Sequence, residues 1–364
     1  MIARILEHLA ALVAFDTQNP PRAIGSDGIF DYLRQALPGF HCTLTDHGAG
    51  AVSLLAVRGQ PRLLCNVHID TVPASPSWGS DPFRLVVGDG RATGLGACDI
   101  KGAAACLLAA AEQSPGDAAF LFSSDEEGGD PRCIAGFLRS RPAFDAVLVA
   151  EPTGNRAVLA HRGISSVLLR LRGQAGHASV PAADQDSALH HAVRFGAAAL
   201  DLVDAEAKTS FGGLSGLRFN IGRIEGGIKA NVIAPQAELR FGFRPLPSQS
   251  IDDLHGRFRA LVPASALALY QESFRGPPLP AGDLVGAEEA RLAARDLADA
   301  LALPVGGAVD FWTEAALFSE AGLPALVFGP GAIEQAHSAD EWVSLAELAE
   351  AGAHYQRIFD HGLR

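Results

Sequence analysis

Leu63–Asp70 reads LLCNVHID: a short apolar run that ends on a histidine and an aspartate and opens onto a Pro-rich loop. Continuous apolar runs of this length suit strands of a central α/β sheet covered on both faces. The same texture returns at Ala118–Ser123 (AAFLFS), Ala146–Ala150 (AVLVA) and, much later, Pro324–Phe328 (PALVF), while the Ala-rich Lys101–Gln113 reads as a helix. From Gly163 onward the pattern changes. Ile164–Arg172 (ISSVLLRLR) alternates as a half-buried strand does, and Asp184–Val203 reads as helical. Leu217–Ile224 and Val232–Phe243 read as two strands joined through Glu225-Gly226-Gly227, Ile251–Val262 as a helix and Ala266–Tyr270 as a last strand. The order is β-α-β-β-α-β, the ferredoxin-like arrangement, and Pro277-Pro278-Leu279-Pro280 reads as the hinge back. The expected plan is a larger α/β domain in two pieces, residues 1–163 and 276–364, with a smaller α+β domain inserted over residues 164–275.

Bulk properties agree with this plan. A chain of 364 residues exceeds the usual size of one hydrophobic core. With 48% hydrophobic and 19% charged residues it is suited to globular folding. A formal net charge of −12 argues against nucleic-acid and anionic-membrane partners, which want a basic surface. The five cysteines (Cys42, Cys65, Cys98, Cys106, Cys133) are odd in number, scattered and without a CxxC pair, a pattern that fits a reducing cytoplasm better than a disulfide framework. At the N-terminus Ile2, Ile5, Leu6, Leu9, Leu12 and Val13 recur at helical spacing, and Glu7 and His8 interrupt any clean apolar run. The stretch reads as an amphipathic helix rather than a signal peptide. The longest apolar stretch, around Ala103–Ala111, is far short of the ~18–20 residues of a membrane span.

Chemistry-bearing residues sit just past the strand ends. His68-x-Asp70 follows the first, Asp125-Glu126-Glu127 follows AAFLFS, Glu151 follows AVLVA, and His337 lies past PALVF and the Gly329-Pro330-Gly331 turn. A Gly-rich loop carrying Asp99 precedes the Ala-rich helix. In open α/β sheets the ligand crevice lies outside the carboxyl ends of the strands, so five distant segments would deliver a His or a carboxylate to one place. Each has an ordinary explanation alone. His-x-Asp is a loose motif, Glu126-Glu127 suits a solvated acidic turn, Glu151 can merely end a strand before Pro152, and Asp99 can cap a helix. Their recurrence at successive strand ends is what those explanations leave out. Gly94-x-Gly96 lacks the third glycine and the acidic partner of a dinucleotide loop.

Imidazole and carboxylate donors without a thiolate cluster suit zinc, with cobalt or manganese as substitutes. Charge counting favours two ions. Two divalent cations bring four positive charges against three negative ones from Asp99, Glu127 and Glu151, and one hydroxide, the nucleophile hydrolysis needs, nearly balances the rest. Period-2 geometry would let Asp70 orient the His68 ring. Glu126, left without a cation, is placed to carry a proton from water to a leaving group.

HID, GLGACDIKG, SSDEEGG, VAEPT and QAHSADE together resemble the M20 metallopeptidase family, in its order and over nearly the whole chain. AEPT…AHRG, FRPLP and TEAALF…FGPG…QAH look most like its acetylornithine deacetylase branch. The resemblance implies a zinc-peptidase-like catalytic domain with a central mixed sheet, and an inserted ferredoxin-like lid that forms a homodimer. It implies one cation on His68, Asp99 and Glu151, a second on Asp99, Glu127 and His337, Glu126 as general base, and a catalytic part for Asp70. His177 in GHASVP would reach the partner subunit's active site and hold the oxyanion. Arg244, Asn231 and Gly331 would bind substrate; a planar guanidinium suits a carboxylate. Two departures stand out. Cys98 precedes the bridging aspartate where relatives have a small polar residue, and Phe241-Gly242-Phe243 replaces a stretch that is more often acidic. The activity implied is cytoplasmic hydrolysis of an Nα-acetyl amino acid, acetylornithine or acetylcitrulline, in arginine biosynthesis. A dipeptidase or aminoacylase, and a dimeric scaffold without turnover, are the alternatives.

Overall fold

The computed structural model describes residues 1–140, 143–181 and 187–363. It divides into two compact units, Met1–Leu159 with Ala290–Gly307 and Thr313–Arg364, and Ala160–Glu289 with Ala308–Trp312.

The strands of the first unit begin with β1 (His41–Asp46), β2 (Val52–Arg58), β3 (Leu63–His68), β4 (Val86–Gly88), β5 (Arg91–Thr93), β6 (Ala118–Ser123) and β7 (Ala146–Val149). Its helices begin with α1 (Ile2–Val13), α2 (Ile29–Ala36), α3 (Lys101–Gln113) and α4 (Arg132–Arg139). The second unit holds β8 (Ile164–Arg172), α5 (Ala188–Ala205), β9 (Ser210–Phe211), β10 (Leu214–Ser215), β11 (Arg218–Gly226), β12 (Gln236–Arg244), α6 (Ile251–Ala260) and β13 (Leu267–Gly276). Helix α7 (Leu284–Ala300) follows, and then α8 (Ala315–Glu320), β14 (Ala325–Val327), β15 (Trp342–Ser344) and α9 (Leu345–His361).

The central sheet of the first unit has the order β1-β2-β6-β3-β7-β14. β6, β3, β7 and β14 are parallel neighbours, while β1 and β2 add an antiparallel edge, so the sheet is mixed. Every residue of β3, β6 and β7 is buried, which is why these strands read as unbroken apolar runs. α3 is buried from Lys101 through Ala111; its alanines let α1 and α9 pack closely on it. A short sheet of order β15-β5-β4 pairs Trp342 with Thr93.

The second unit carries a four-stranded antiparallel sheet of order β11-β12-β8-β13. With α5 and α6 this is the β-α-β-β-α-β arrangement. Its core gathers Phe195, Phe241, Phe243 and Phe258, with the Phe243 and Phe258 rings 5.1 Å apart. Three differences from the sequence expectation have physical causes. β13 runs on to Gly276, because bulges at Leu267/Leu269 and Glu272/Phe274 break the alternation that would have marked it. The residues from Val232 to Pro235 precede β12, since Val232 closes a turn on Lys229 and Pro235 has no N–H for the ladder. The unit also continues beyond Pro277–Pro280 to Glu289. There His161 and Leu279 exchange backbone hydrogen bonds at 2.8 and 3.1 Å, so the expected boundary at 275/276 falls inside it. The first residues of the expected Asp184–Val203 helix lie outside the described residues; α5 is seen from Ala188.

Among the described residues no helix is long and apolar enough to cross a membrane. All five cysteines are free thiols.

Candidate metal centre

β3, β6 and β7 lie side by side and parallel, so His68, Asp125–Glu127 and Glu151 leave the sheet at one edge. Asp99 comes from the loop before α3, and His337 from the segment between β14 and β15. The structure brings these donors into two groups, His68 with Asp99 and Glu151, and Asp99 with Glu127 and His337, the donor atoms of each lying within 4.8 Å of one another. The two oxygens of Asp99 face different histidines: Oδ1 is 3.1 Å from His68 Nε2 and Oδ2 is 3.3 Å from His337 Nε2. Glu151 is 3.8 Å from His68, and Glu127 is 3.0 Å from His337. His337 opens the second group to solvent, its side chain being 51% exposed.

This donor set fits divalent cations. Among the described residues the ion-pair partners of Asp99, Glu127 and Glu151 are histidines only. Buried carboxylates without a cationic partner are costly, and nitrogen and oxygen donors in small groups are what first-row divalent metals take. Burial would depress the His68 imidazolium, but the carboxylates of Glu151, Asp70 and Asp99 outweigh it and hold the pKa well above its ordinary value. Hydrogen bonds to Asp99 and Glu127 raise His337 to about 10. Burial pushes Glu151 up to about 7, and it pushes Glu126 well above the ordinary carboxylate range with Glu127, Glu151 and Asp99 adding to the effect.

Asp70 is the organiser beneath these donors. Its Oδ1 accepts the Glu126 N–H at 3.3 Å, and Oδ2 accepts the Glu127 N–H at 3.1 Å and the Asn19 amide at 2.9 Å. The His68 ring is met differently from the expectation. β3 ends at His68, and Nδ1 lies 3.0 Å from the Asp70 backbone carbonyl against 3.6 Å from its carboxylate. The carboxylate is thus spent on the turn that carries Glu126 and Glu127. Asp99 is not a helix cap, since Ile100 precedes α3 at that position.

Sequence reading missed Asn19, Glu314 and Glu341. Glu341 lay inside the quoted QAHSADE stretch, where only His337 had been given a role; Asn19 gave no signal before Pro20-Pro21. Glu314 is fully buried: Oε2 accepts from Ser123 Oγ at 2.7 Å, and Oε1 has no hydrogen-bond partner among the described residues. Burial, with Asp125 nearby, pushes its carboxyl up to about 8. A folded-state pKa above the unfolded value contributes stability that is complete below the unfolded pKa and lost as pH rises through the folded one. Glu314→Gln, neutral at every pH, is therefore expected to lose little near pH ~5 and to gain relative to the parent up to about pH 9. Melting temperatures across that range test this; a constant difference means the carboxyl ionises normally.

His177, Asn231 and Arg244 lie in the second unit, whereas the donor groups, Glu126 and Gly331 lie in the first. His177 is exposed, bonded to Ser179 Oγ at 2.8 Å, and bridged to Val232, while Ala178 N–H donates to Asn231 at 3.1 Å, which sets His177 beside Asn231. Arg244 ends β12 and is half-buried; its carbonyl accepts from Arg162 Nη1 at 3.5 Å. Arg162 is itself fully buried and also donates to Ser215 O at 2.7 Å, to Gly216 O at 2.5 Å and to Asp310. Gly331 is tied into the first unit by its main chain. Its N–H donates to Glu347 at 2.9 Å and its carbonyl accepts from Gly154 at 2.8 Å. At φ +96° a Cβ there would stand 2.6 Å from Cys98 Sγ, so glycine supplies clearance.

A mixed α/β sheet that gathers histidines and carboxylates around one shared aspartate at its strand ends defines a metal-dependent hydrolase. The family model described as peptidase family M20/M25/M40 matches residues 64–361, and the chain belongs to that family. It is 62% identical over 361 residues to N-acetyl-L-citrulline deacetylase of Xanthomonas campestris pv. campestris, covering 99% of this chain and 98% of the relative. It is 31% identical over 320 residues to acetylornithine deacetylase of Edwardsiella ictaluri, covering 83% and 78%. A solved structure of a Bacillus subtilis dinuclear metal-binding peptidase of the M20 family superposes with a TM-score of 0.66 at 15% identity, covering 100% of this chain and 98% of that one.

Proposed function

We propose that this enzyme hydrolyses the amide bond of N-acetyl-L-citrulline, releasing acetate and the free amino acid, in the cytoplasmic synthesis of arginine. The observation that carries the choice of substrate is the 62% identity, over 99% of the chain, to a deacetylase of that compound, against 31% to an acetylornithine deacetylase. Ornithine ends in an ammonium, which wants a pocket carboxylate, whereas the ureido group of citrulline wants neutral hydrogen-bonding partners.

His68, Asp99 and Glu151 would hold one divalent cation and Asp99, Glu127 and His337 the other, zinc by preference and cobalt or manganese as substitutes. When bound, such cations supply Lewis acidity for the amide carbonyl and make water easier to deprotonate. Glu126 takes the proton from the attacking water as the C–O bond forms, and gives it to the amine nitrogen as the C–N bond breaks. Asp70 keeps that carboxyl in place through the backbone of Glu126 and Glu127. Arg244 grips the substrate carboxylate, Asn231 bonds to its backbone, and His177 of a second subunit steadies the oxyanion. Dimerisation through the second unit is supported by its exposed apolar side chains: Val193 and Leu200 on α5, Ile224 on the edge strand β11, and Ile228 just beyond.

The test is turnover by zinc-replete protein of Nα-acetylcitrulline, Nα-acetylornithine and an unblocked dipeptide. Acetylcitrulline is expected to lead acetylornithine by at least ~100-fold in kcat/KM. A lead for acetylornithine overturns the choice of substrate; turnover of the dipeptide alone moves the chain to peptidase chemistry, and no turnover at all leaves a scaffold. Sedimentation of the same sample should show a dimer, and a fully active monomer removes the role given to His177.

A further inference from the structure

We propose that Glu341 is a positioning residue that sets the affinity of both cation groups by clamping the main chain of the loop that carries Asp99. The inference rests on the reading of Asp99 as the shared ligand.

Glu341 is 1% exposed, and its carboxylate accepts three backbone N–H groups from one short loop. Oε2 takes Gly96 at 3.0 Å, and Oε1 takes Cys98 at 2.7 Å and Asp99 itself at 2.8 Å. Its own carbonyl accepts the Gly94 N–H at 3.0 Å, extending the β5–β15 pairing up to the loop. These amides lie just before α3, where buried N–H groups have no helical acceptor. An ionised carboxylate is the strongest single acceptor a protein can offer three converging donors.

The same segment also meets the Asp99 side chain. His337, four residues before Glu341, reaches Asp99 Oδ2 at 3.3 Å. One stretch, 337–341, thus supplies both a donor of the Asp99 group and the acceptors of the Asp99 loop's main chain. Asp99 gives one oxygen to each cation group, so any shift of its backbone is felt by both. A residue that only supported the fold would lower the melting temperature and leave cation affinity alone. A residue that aims the shared ligand lowers affinity at both groups together and alters their geometry.

Cobalt binding to the metal-free full-length chain, followed by visible absorption against a competing chelator, reads affinity and geometry without reference to turnover. Glu341→Gln keeps the size but offers one acceptor oxygen and turns an amide NH2 toward N–H donors. It is expected to weaken both cobalt equivalents by about 10–100-fold and to change the absorption bands, the range usual for partners that orient metal ligands. Glu341→Asp keeps the charge one methylene short and should fall between the two; it decides the matter should the glutamine variant fail to fold. Parent-like affinity and bands in a folded variant overturn the proposal, as does loss confined to one equivalent. Asp99→Asn run alongside separates the two readings. If it binds both equivalents like the parent, the shared-ligand reading has failed and the role of Glu341 falls with it; if it loses them while Glu341→Gln keeps both, only the role of Glu341 has failed.

Discussion

Replacing Glu126 by glutamine is expected to lower kcat by roughly 10²–10⁴-fold, the range for loss of a positioned general acid–base, while KM and cation content stay near the parent values. Glutamine preserves shape and volume but cannot take a proton from water. Glu126 belongs to neither donor group, so its loss removes no ligand. Its backbone N–H on Asp70 is untouched by the change, and the turn that carries it should keep its course. The carboxyl stands well above the ordinary range because burial and the neighbouring acids disfavour its charge. Steady-state kinetics with cation analysis on the same preparation gives the answer. A variant within threefold of the parent kcat would mean that another group moves the proton.

Asp99→Asn is expected to abolish activity by a different route, through the cations. An amide presents one oxygen and no charge, so it cannot serve both groups that Asp99 now joins. Cations that bind only the folded chain stabilise it by RT ln(1 + [L]/Kd), about 3–4 kcal/mol at a hundred- to thousandfold excess over Kd. In a chain of this size that corresponds to a rise in Tm of several degrees. The parent should show the rise when zinc is added and lose it to a chelator. The variant should melt at one temperature with or without zinc. A variant that keeps the full rise would place the cations elsewhere.

How much of this could be read from the sequence follows from burial. β3, β6 and β7 are covered on both faces, so their composition alone marks them, and α3 is legible for the same reason. His68 was legible because it ends such a strand, and Glu127 and Glu151 because they follow such strands within a few residues. β4, β5 and β15 were not, since three-residue strands gain their identity from pairing across the chain, as Trp342 does with Thr93. The second boundary between units was hidden because α7 runs through it, leaving no break in composition. Asn19, Arg162 and Glu341 went unremarked for a common reason. A polar side chain buried to satisfy other polar groups inside the fold looks, in a string of letters, like any surface residue. Asp70 was found, but its contact with His68 depends on where β3 stops, which hydrophobicity does not fix to one residue.

The first unit is interrupted: it breaks off at Leu159, resumes at Ala290, and its last segment begins at Thr313, after the Ala308–Trp312 stretch of the second. This gives the site a history in time. As the chain leaves the ribosome, His68, Asp99, Glu127, Glu151 and three parallel strands emerge early, enough for one complete donor group. His337, Glu341 and the edge strand β14 arrive only after the second unit has been made. Because domains tend to fold as units while synthesis proceeds, the nascent protein passes through an interval in which it owns one donor group and part of another. The segment that follows β14 thus brings both the histidine of the second donor group and the carboxylate that meets the Asp99 loop.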